Sequence, residues 1–161
     1  MQQIVERGRR ATRQAGSARV RARPVLLGTL SVRVDPGAER MAIDSAREAT
    51  VKLIVANMLA LPPYPLTFML APEYAILPHE EDLEAVRATA ARAAALGIPT
   101  ELLRICSRRP VRALLELAAE LDAGLLVFGP DRSLTPRWRF RAAARMVRRD
   151  AACLVWVAPD G

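Results

Sequence analysis

The sequence predicts an α/β fold: a five-stranded, doubly wound parallel sheet with helices on both faces. Short apolar runs alternate along the chain with segments of helical periodicity. The runs are continuously apolar rather than alternating, as strands buried on both faces must be. The composition agrees, because 161 residues, 52% of them hydrophobic, suffice for one domain with its own core. That excludes a disordered or collagen-like chain. With aromatic residues at 4%, the core must rest on Ala, Leu and Val.

Residues 1–23 (MQQIVERGRRATRQAGSARVRAR) carry seven arginines and one glutamate without sustained apolar periodicity. They read as a mobile basic arm before a domain over 24–161. The arm lacks the apolar run of a secretory signal, while its Arg-rich, acid-poor character leaves a mitochondrial transit peptide as an alternative. The first strand is Val25–Thr29 (VLLGT). A helix follows over Pro36–Thr50, with Asp35 as N-cap and Pro36 where a missing N–H costs nothing. Its mostly small residues Met41, Ala42, Ser45, Ala46 and Thr50 could lie against the sheet. Val51–Met58 (VKLIVANM) is the second strand.

The connection Leu59–Pro78 is long, proline-rich and apolar. Tyr64, Phe68, Met69 and Tyr74 make it a lid, a contact surface, or a loop packed on its own domain. The uncharged stretch Leu53–Pro72 is long enough to span a membrane. Pro62, Pro63, Pro65 and Pro72 would break that helix, so no span is expected. Helix His79–Leu96 has acidic residues at its positive end, a stripe of Leu83, Val86, Ala90 and Ala93, and Gly97 after its end. Then come strand Thr100–Cys106, helix Pro110–Asp122 with Val111, Leu114, Leu115 and Ala118 on one face, and strand Leu125–Gly129. The turn PDRSLTPR leads to a helix over Trp138–Asp150, and Cys153–Ala158 (CLVWVA) closes the sheet. Ligands of such sheets bind beyond the C-terminal strand ends near the switch in strand order, which points to the segments after Thr29, Met58 and Gly129.

Charge is distinctive: 24 basic against 17 acidic residues, and all the basic ones but Lys52 are arginine. The excess admits a polyanionic partner: nucleic acid, nucleotide phosphate or an anionic membrane surface. It lies in the arm and in Asp131–Asp150, where seven arginines face two aspartates. In the last helix Arg137, Arg141, Arg145 and Arg149, with Arg148 beside them, share one face at i, i+4 spacing. Phe140, Ala143 and Val147 lie opposite, with Arg139 near the apolar side. The stripe is either a phosphate-tracking face, with Trp138 beside it to stack on a base, or a solvated helix balanced by acidic neighbours.

Two cysteines, Cys106 and Cys153, lie in apolar runs and read as small buried hydrophobes in a reducing, cytoplasmic compartment. One histidine, His79, leaves too few ligands for a Cys/His zinc site. It reads as an exposed helix-terminal residue. Neither a G-x-S-x-G elbow nor a P-loop is present, and Glu116 and Glu120 have no evident catalytic partner. No catalytic residue and no metal are therefore expected.

The run RPVRALLELAAELDAGLLVFGPDRS…RRDAACLVWVAP (Arg109 to Pro159) resembles the C-terminal half of a universal stress protein domain. Val25–Gly28 followed by PGAERMAIDSA resembles that family's first strand and helix, and AARAAALGIPTELL its third crossover. The resemblance covers residues 24–158. It implies a Rossmann-like sandwich of strand order 3-2-1-4-5, a homodimer paired through the last strand (Cys153–Ala158), and a non-enzymatic binding and signalling role in the stress response. It makes ATP a possible ligand, yet the family's G-x2-G-x9-G-[ST] motif keeps only Gly129. Arg132, Ala142 and Ala143 occupy the other three positions, and Pro130 removes an amide donor. The family's nucleotide-contacting aspartate falls on Leu30 by the strand or on Asp35 by the helix start. A nucleotide or phosphate would then be held by Gly129, Arg132, Ser133, Thr135, Arg137 and Asp35, or that loop is a solvated turn in which Asp131, Ser133 or Thr135 caps the helix. ATP binding is expected to be weak or lost. The alternative is a nucleic-acid-binding α/β protein using the arm and the Arg137–Arg149 face.

Overall fold

Apolar strands and one-sided helices bury each other when the strands lie side by side and the helices cover both faces. The computed structural model describes residues 22–61 and 79–159. It orders them as β1 (Val25–Leu30), α1 (Pro36–Ala49), β2 (Leu53–Ala60), α2 (Glu80–Ala95), β3 (Thr100–Ser107), α3 (Pro110–Glu120), β4 (Leu125–Phe128), α4 (Arg137–Asp150) and β5 (Leu154–Val157). Every strand pair is parallel and the sheet order is β3-β2-β1-β4-β5, the order expected. Residues 1–21 of the basic arm and 62–78 of the long connection lie outside the described residues. Arg23, at the end of the arm, donates to the Asp122 carboxylate at 2.6 Å.

Central β1 shows why the strands read as unbroken apolar runs. Leu26 and Leu27 are fully buried on opposite faces. Leu26 joins Leu114 and Ala118 of α3 with Phe140, Ala143, Ala144 and Val147 of α4. Leu27 joins Ala38, Ala42, Ile43 and Ala46 of α1 with Val86 and Ala93 of α2. The two cores are separate because consecutive strand residues point to opposite sides of the sheet.

Three expectations are corrected. Thr50 does not face the sheet: α1 ends one residue earlier, and Thr50 is an exposed cap at φ 54, its N–H donating to Ala46 and Arg47 carbonyls. Cys106 is exposed rather than buried, because β3 is an edge strand on which Leu102, Arg104 and Cys106 remain accessible while Leu103 and Ile105 pack inward. Cys153 is half-buried, and that burial raises its thiol pKa. Arg139, expected near the apolar side of its helix, is exposed beside the buried Phe140, its guanidinium 5.1 Å over the Trp138 ring. The buried stripe of α2 holds Leu83, Val86 and Ala93, with Ala90 partly covered, and also two polar residues, Asp82 and Thr89. β2 begins at Leu53 and extends through Ala60, since its register with β3 continues to the pair Ala60–Ser107.

Candidate functional site at the switch between β1 and β4

The switch point lies where adjacent strands send their chains to opposite faces. Here β1 leads to α1 on one face and β4 leads towards α4 on the other. The fold brings the six expected residues to this place from two loops: Asp35 follows β1, whereas Gly129, Arg132, Ser133, Thr135 and Arg137 follow β4.

The two loops are joined to each other. Asp35 N donates to Gly129 O at 2.9 Å and Asp131 N to Arg33 O at 2.9 Å. An antiparallel bridge pairs Val34 with Pro130, and Val34 is buried in the core under α1 and α2. Gly129 has a packing reason to be glycine. A Cβ there would stand 2.0 Å from the Ala38 Cβ, so only hydrogen lets the turn approach α1 this closely.

The polar side chains are occupied locally. Asp35 Oδ1 accepts from Gly37 N at 2.8 Å and Ala38 N at 3.1 Å, an N-cap for α1. Asp131 Oδ1 accepts from Ser133 N at 2.9 Å and Ser133 Oγ at 2.7 Å. Thr135 Oγ1 donates to Asp131 O at 2.9 Å, so Asp131 organises the turn. Arg132 Nη1 donates to Pro159 O at 2.7 Å, with the guanidinium 5.1 Å over the Phe140 ring. The expected capping of the last helix is corrected: Pro136 is the N-cap of α4 and no side chain caps it. Arg137 is exposed on the first turn of α4.

Sequence reasoning missed a polar layer at the ends of β1 and β2. Thr29 and Asn57 are register partners, both buried. Thr29 Oγ1 donates to Val32 O at 2.6 Å. Asn57 Oδ1 is buried and accepts no hydrogen bond among the described residues, a deficit of roughly 1–3 kcal/mol for such a group. Asp82 is 5% exposed and faces Arg33, with Nε at 3.3 Å and the backbone N at 3.4 Å. Arg33 Nε also lies 3.6 Å from Asp131 Oδ2, which links this layer to the turn. The sequence does carry a trace of it: Thr29 and Asn57 are polar residues inside apolar runs.

Two grooves lie between helices, one of them beside the switch point. One of about 570 Å3 between α1 and α2 includes Arg33, Glu39, Thr89 and Arg92 in its lining. There Arg92 holds Glu39 through Nε at 2.5 Å and Nη2 at 2.7 Å, and Thr89 Oγ1 donates at 2.8 Å. The Arg92 guanidinium holds the Glu39 carboxyl below its ordinary pKa despite partial burial, with help from Thr89. The other groove, about 790 Å3, runs between α3 and α4 over Val111, Leu115, Ala119 and Met146. None of the six expected residues lines either groove. Among the described residues no cluster of His, Cys, Asp or Glu is placed to hold a metal ion.

The sequence model of the universal stress protein family matches residues 22–159. The chain belongs to the universal stress protein family. Among solved structures, a universal stress protein in complex with cAMP is similar at 25% identity and a TM-score of 0.61, covering 86% of this chain and 98% of that one. The universal stress protein from Archaeoglobus fulgidus in complex with dAMP has a TM-score of 0.57 at 20% identity, over 84% and 96% of the two chains. A family member from Burkholderia pseudomallei has a TM-score of 0.60 at 20% identity, over 85% and 96%. The last two establish likeness of fold. Among curated proteins none matches this sequence. Among the described residues no helix of this universal stress protein is long and apolar enough to cross a membrane.

Proposed function

We propose that this universal stress protein is a non-enzymatic binding and signalling module of the stress response, acting in the cytoplasm as a homodimer, in which ATP binding is weak or lost. The observation that carries the reading is the inward bonding of the β4–α4 turn. A phosphate loop needs backbone N–H groups turned to the ligand and glycines that let it come close. Here Arg132, Ala142 and Ala143 stand where the family's motif has Gly, Gly and Ser or Thr. The hydroxyls of Ser133 and Thr135 are engaged by Asp131, and Arg132 by Pro159. Asp35 is engaged in capping. An incoming phosphate would have to break these contacts before gaining its own.

What supports a remaining ligand site is the floor beside it. Asn57 Oδ1 is an acceptor without a donor, suited to a ligand N–H group. The non-enzymatic reading rests on placement. His79 is exposed at the N-cap of α2 and makes no side-chain capping bond, the Thr135 hydroxyl donates to a backbone carbonyl, and the Ser133 hydroxyl donates to Asp131 within the turn that Asp131 organises. Dimerisation is supported by β5, an edge strand whose Leu154 is 74% exposed.

Calorimetric titration with ATP and with cAMP, together with mass spectrometry of the purified protein for co-purified nucleotide, tests the ligand reading. Heats too small to saturate at one ligand per chain are expected for ATP. Micromolar one-to-one ATP binding would overturn the proposal of a weakened site. Sedimentation velocity should show a dimer, and a monomer at every concentration would remove that part of it.

A further inference from the structure

We propose that the outer face of α4 is a docking surface for the phosphate backbone of a nucleic acid. The helix buries Phe140, Ala143, Ala144 and Val147 against the sheet and turns Met146, Arg149 and Asp150 towards the groove beside α3. Arg137, Arg141, Arg145 and Arg148 therefore fall on the side away from α3, within about 80° of one another at 3.6 residues per turn. All four are exposed. Arg149 is drawn off to Asp150, with Nε at 2.6 Å and Nη2 at 2.8 Å. Arg148 takes its place in the line.

The solvated-helix alternative needs acidic neighbours, and three of these positions have none. Arg137, Arg145 and Arg148 form no ion pair among the described residues. The N-terminal turn of α4 adds to the excess, because it has no acidic residue and no side-chain cap to offset the positive end of the helix dipole. Arg137 adds its own charge at that same end. Such an arrangement costs stability unless an anion joins it.

The geometry selects the anion. From Arg137 to Arg148 the line rises about 16 Å along the helix, close to the axial rise of five phosphate-to-phosphate steps of one duplex strand at ~3.4 Å each. Guanidinium groups meet phosphates through two parallel hydrogen bonds. Trp138, 69% exposed beside the line with Arg139 over its ring, is an aromatic on which an unpaired base can stack by displacing that guanidinium or on the opposite side. An anionic membrane fits less well. A helix binds a lipid interface by burying its apolar face there, and the apolar face of α4 is already in the core.

The test is fluorescence anisotropy of the full chain with a short labelled duplex DNA, and with single-stranded RNA of the same length, over a series of salt concentrations. Binding to either is expected to weaken with salt at a slope of about −0.9 per phosphate neutralised on duplex and ~−0.7 on a single strand. The R137Q/R145Q/R148Q variant should lower the magnitude of that slope by about 2 to 3 and weaken binding at least tenfold at low salt, with an unchanged circular dichroism spectrum. Trp138→Phe should remove a fluorescence quench seen with RNA. An unchanged slope in the triple variant would place any binding elsewhere in the chain and overturn the proposal. So would the absence of binding at low salt, or binding to phosphatidylserine vesicles without binding to nucleic acid.

Discussion

The arginines at the switch point and those on the outer face of α4 differ in what they touch. Arg33 lies between Asp82 and Asp131, Arg92 grips Glu39, and Arg132 holds the Pro159 carbonyl over the Phe140 ring. Each closes a contact between distant parts of the chain. Arg137, Arg145 and Arg148 project from a helix whose other side already packs against the sheet. A guanidinium that bridges two loops holds the fold together. One that faces only water can be removed without opening anything. Net charge in the sequence does not distinguish the two, because both kinds are arginines with few acids nearby in the chain.

The largest effect that would break this comparison lies at the switch point. Gly129→Ala sets a Cβ 2.0 Å from the Ala38 Cβ, and neither atom belongs to a flexible side chain that can swing aside. The turn must move away from α1, which strains the Val34–Pro130 bridge and the Asp35 N–H bond to Gly129 O. A loss of about 2–3 kcal/mol is expected by urea denaturation, the range for an overpacked rigid site. A loss below ~0.5 kcal/mol would mean that the two loops are not rigidly joined.

This coupling also marks what the sequence could and could not disclose. The order of elements was legible because each apolar run is bounded by helix and turn residues, with Asp35-Pro36 before α1 and Gly97 after α2. The strand order followed from the resemblance, and Asp35 was read correctly as a cap. The buried carboxylate of Asp82 was not legible. It sits in the run His79-Glu80-Glu81-Asp82, where helix-dipole compensation explains any acid equally well. Only the tertiary placement of Arg33 shows that the last of them faces inward. Cys106 was misjudged for a related reason: an apolar run does not announce that its strand is at the edge of the sheet. The six expected site residues lie after β1 and after β4, yet their hydrogen bonds to Asp131, Pro159 and the first turn of α1 could not be read from composition.

A smaller effect separates bridging arginines from free ones by pH. Glu39 is held below its ordinary pKa chiefly by the Arg92 hydrogen bonds. Its stabilisation is therefore complete above the unfolded carboxylate pKa and is lost as pH falls through the lowered folded value. Glu39→Gln should cost about 0.5–1 kcal/mol at neutral pH, a modest figure because Arg92 is 55% exposed and screened by solvent. In acid the difference between the two proteins should close. Thermal melts of both across the acid range check this, and a gap that persists below the depressed pKa would show that the carboxylate charge is not what joins α1 to α2.

The smallest expected change in stability comes from the outer face of α4, and its sign is informative. Arg137 and Arg141, Arg141 and Arg145, and Arg145 and Arg148 are like-charged neighbours at i, i+4 or i, i+3, each repelling by about 0.2–0.5 kcal/mol. Neutralising Arg137, Arg145 and Arg148 to glutamine removes all three repulsions and, at Arg137, relieves the positive helix end, but gives up the favourable charge of Arg148 in the last turn. Glutamine has nearly the helix propensity of arginine, so no compensating cost arises from the backbone. The variant should melt at the wild-type temperature or slightly above it, equivalent to about 0–0.5 kcal/mol, and the difference should vanish in high salt as the repulsion is screened. A fall of ~1 kcal/mol or more would assign these arginines to the fold, as bridging residues like Arg33 and Arg92. An unchanged or raised stability means that the folded chain holds Arg137, Arg145 and Arg148 at no benefit to itself, which is the condition expected of a surface kept for an anionic partner.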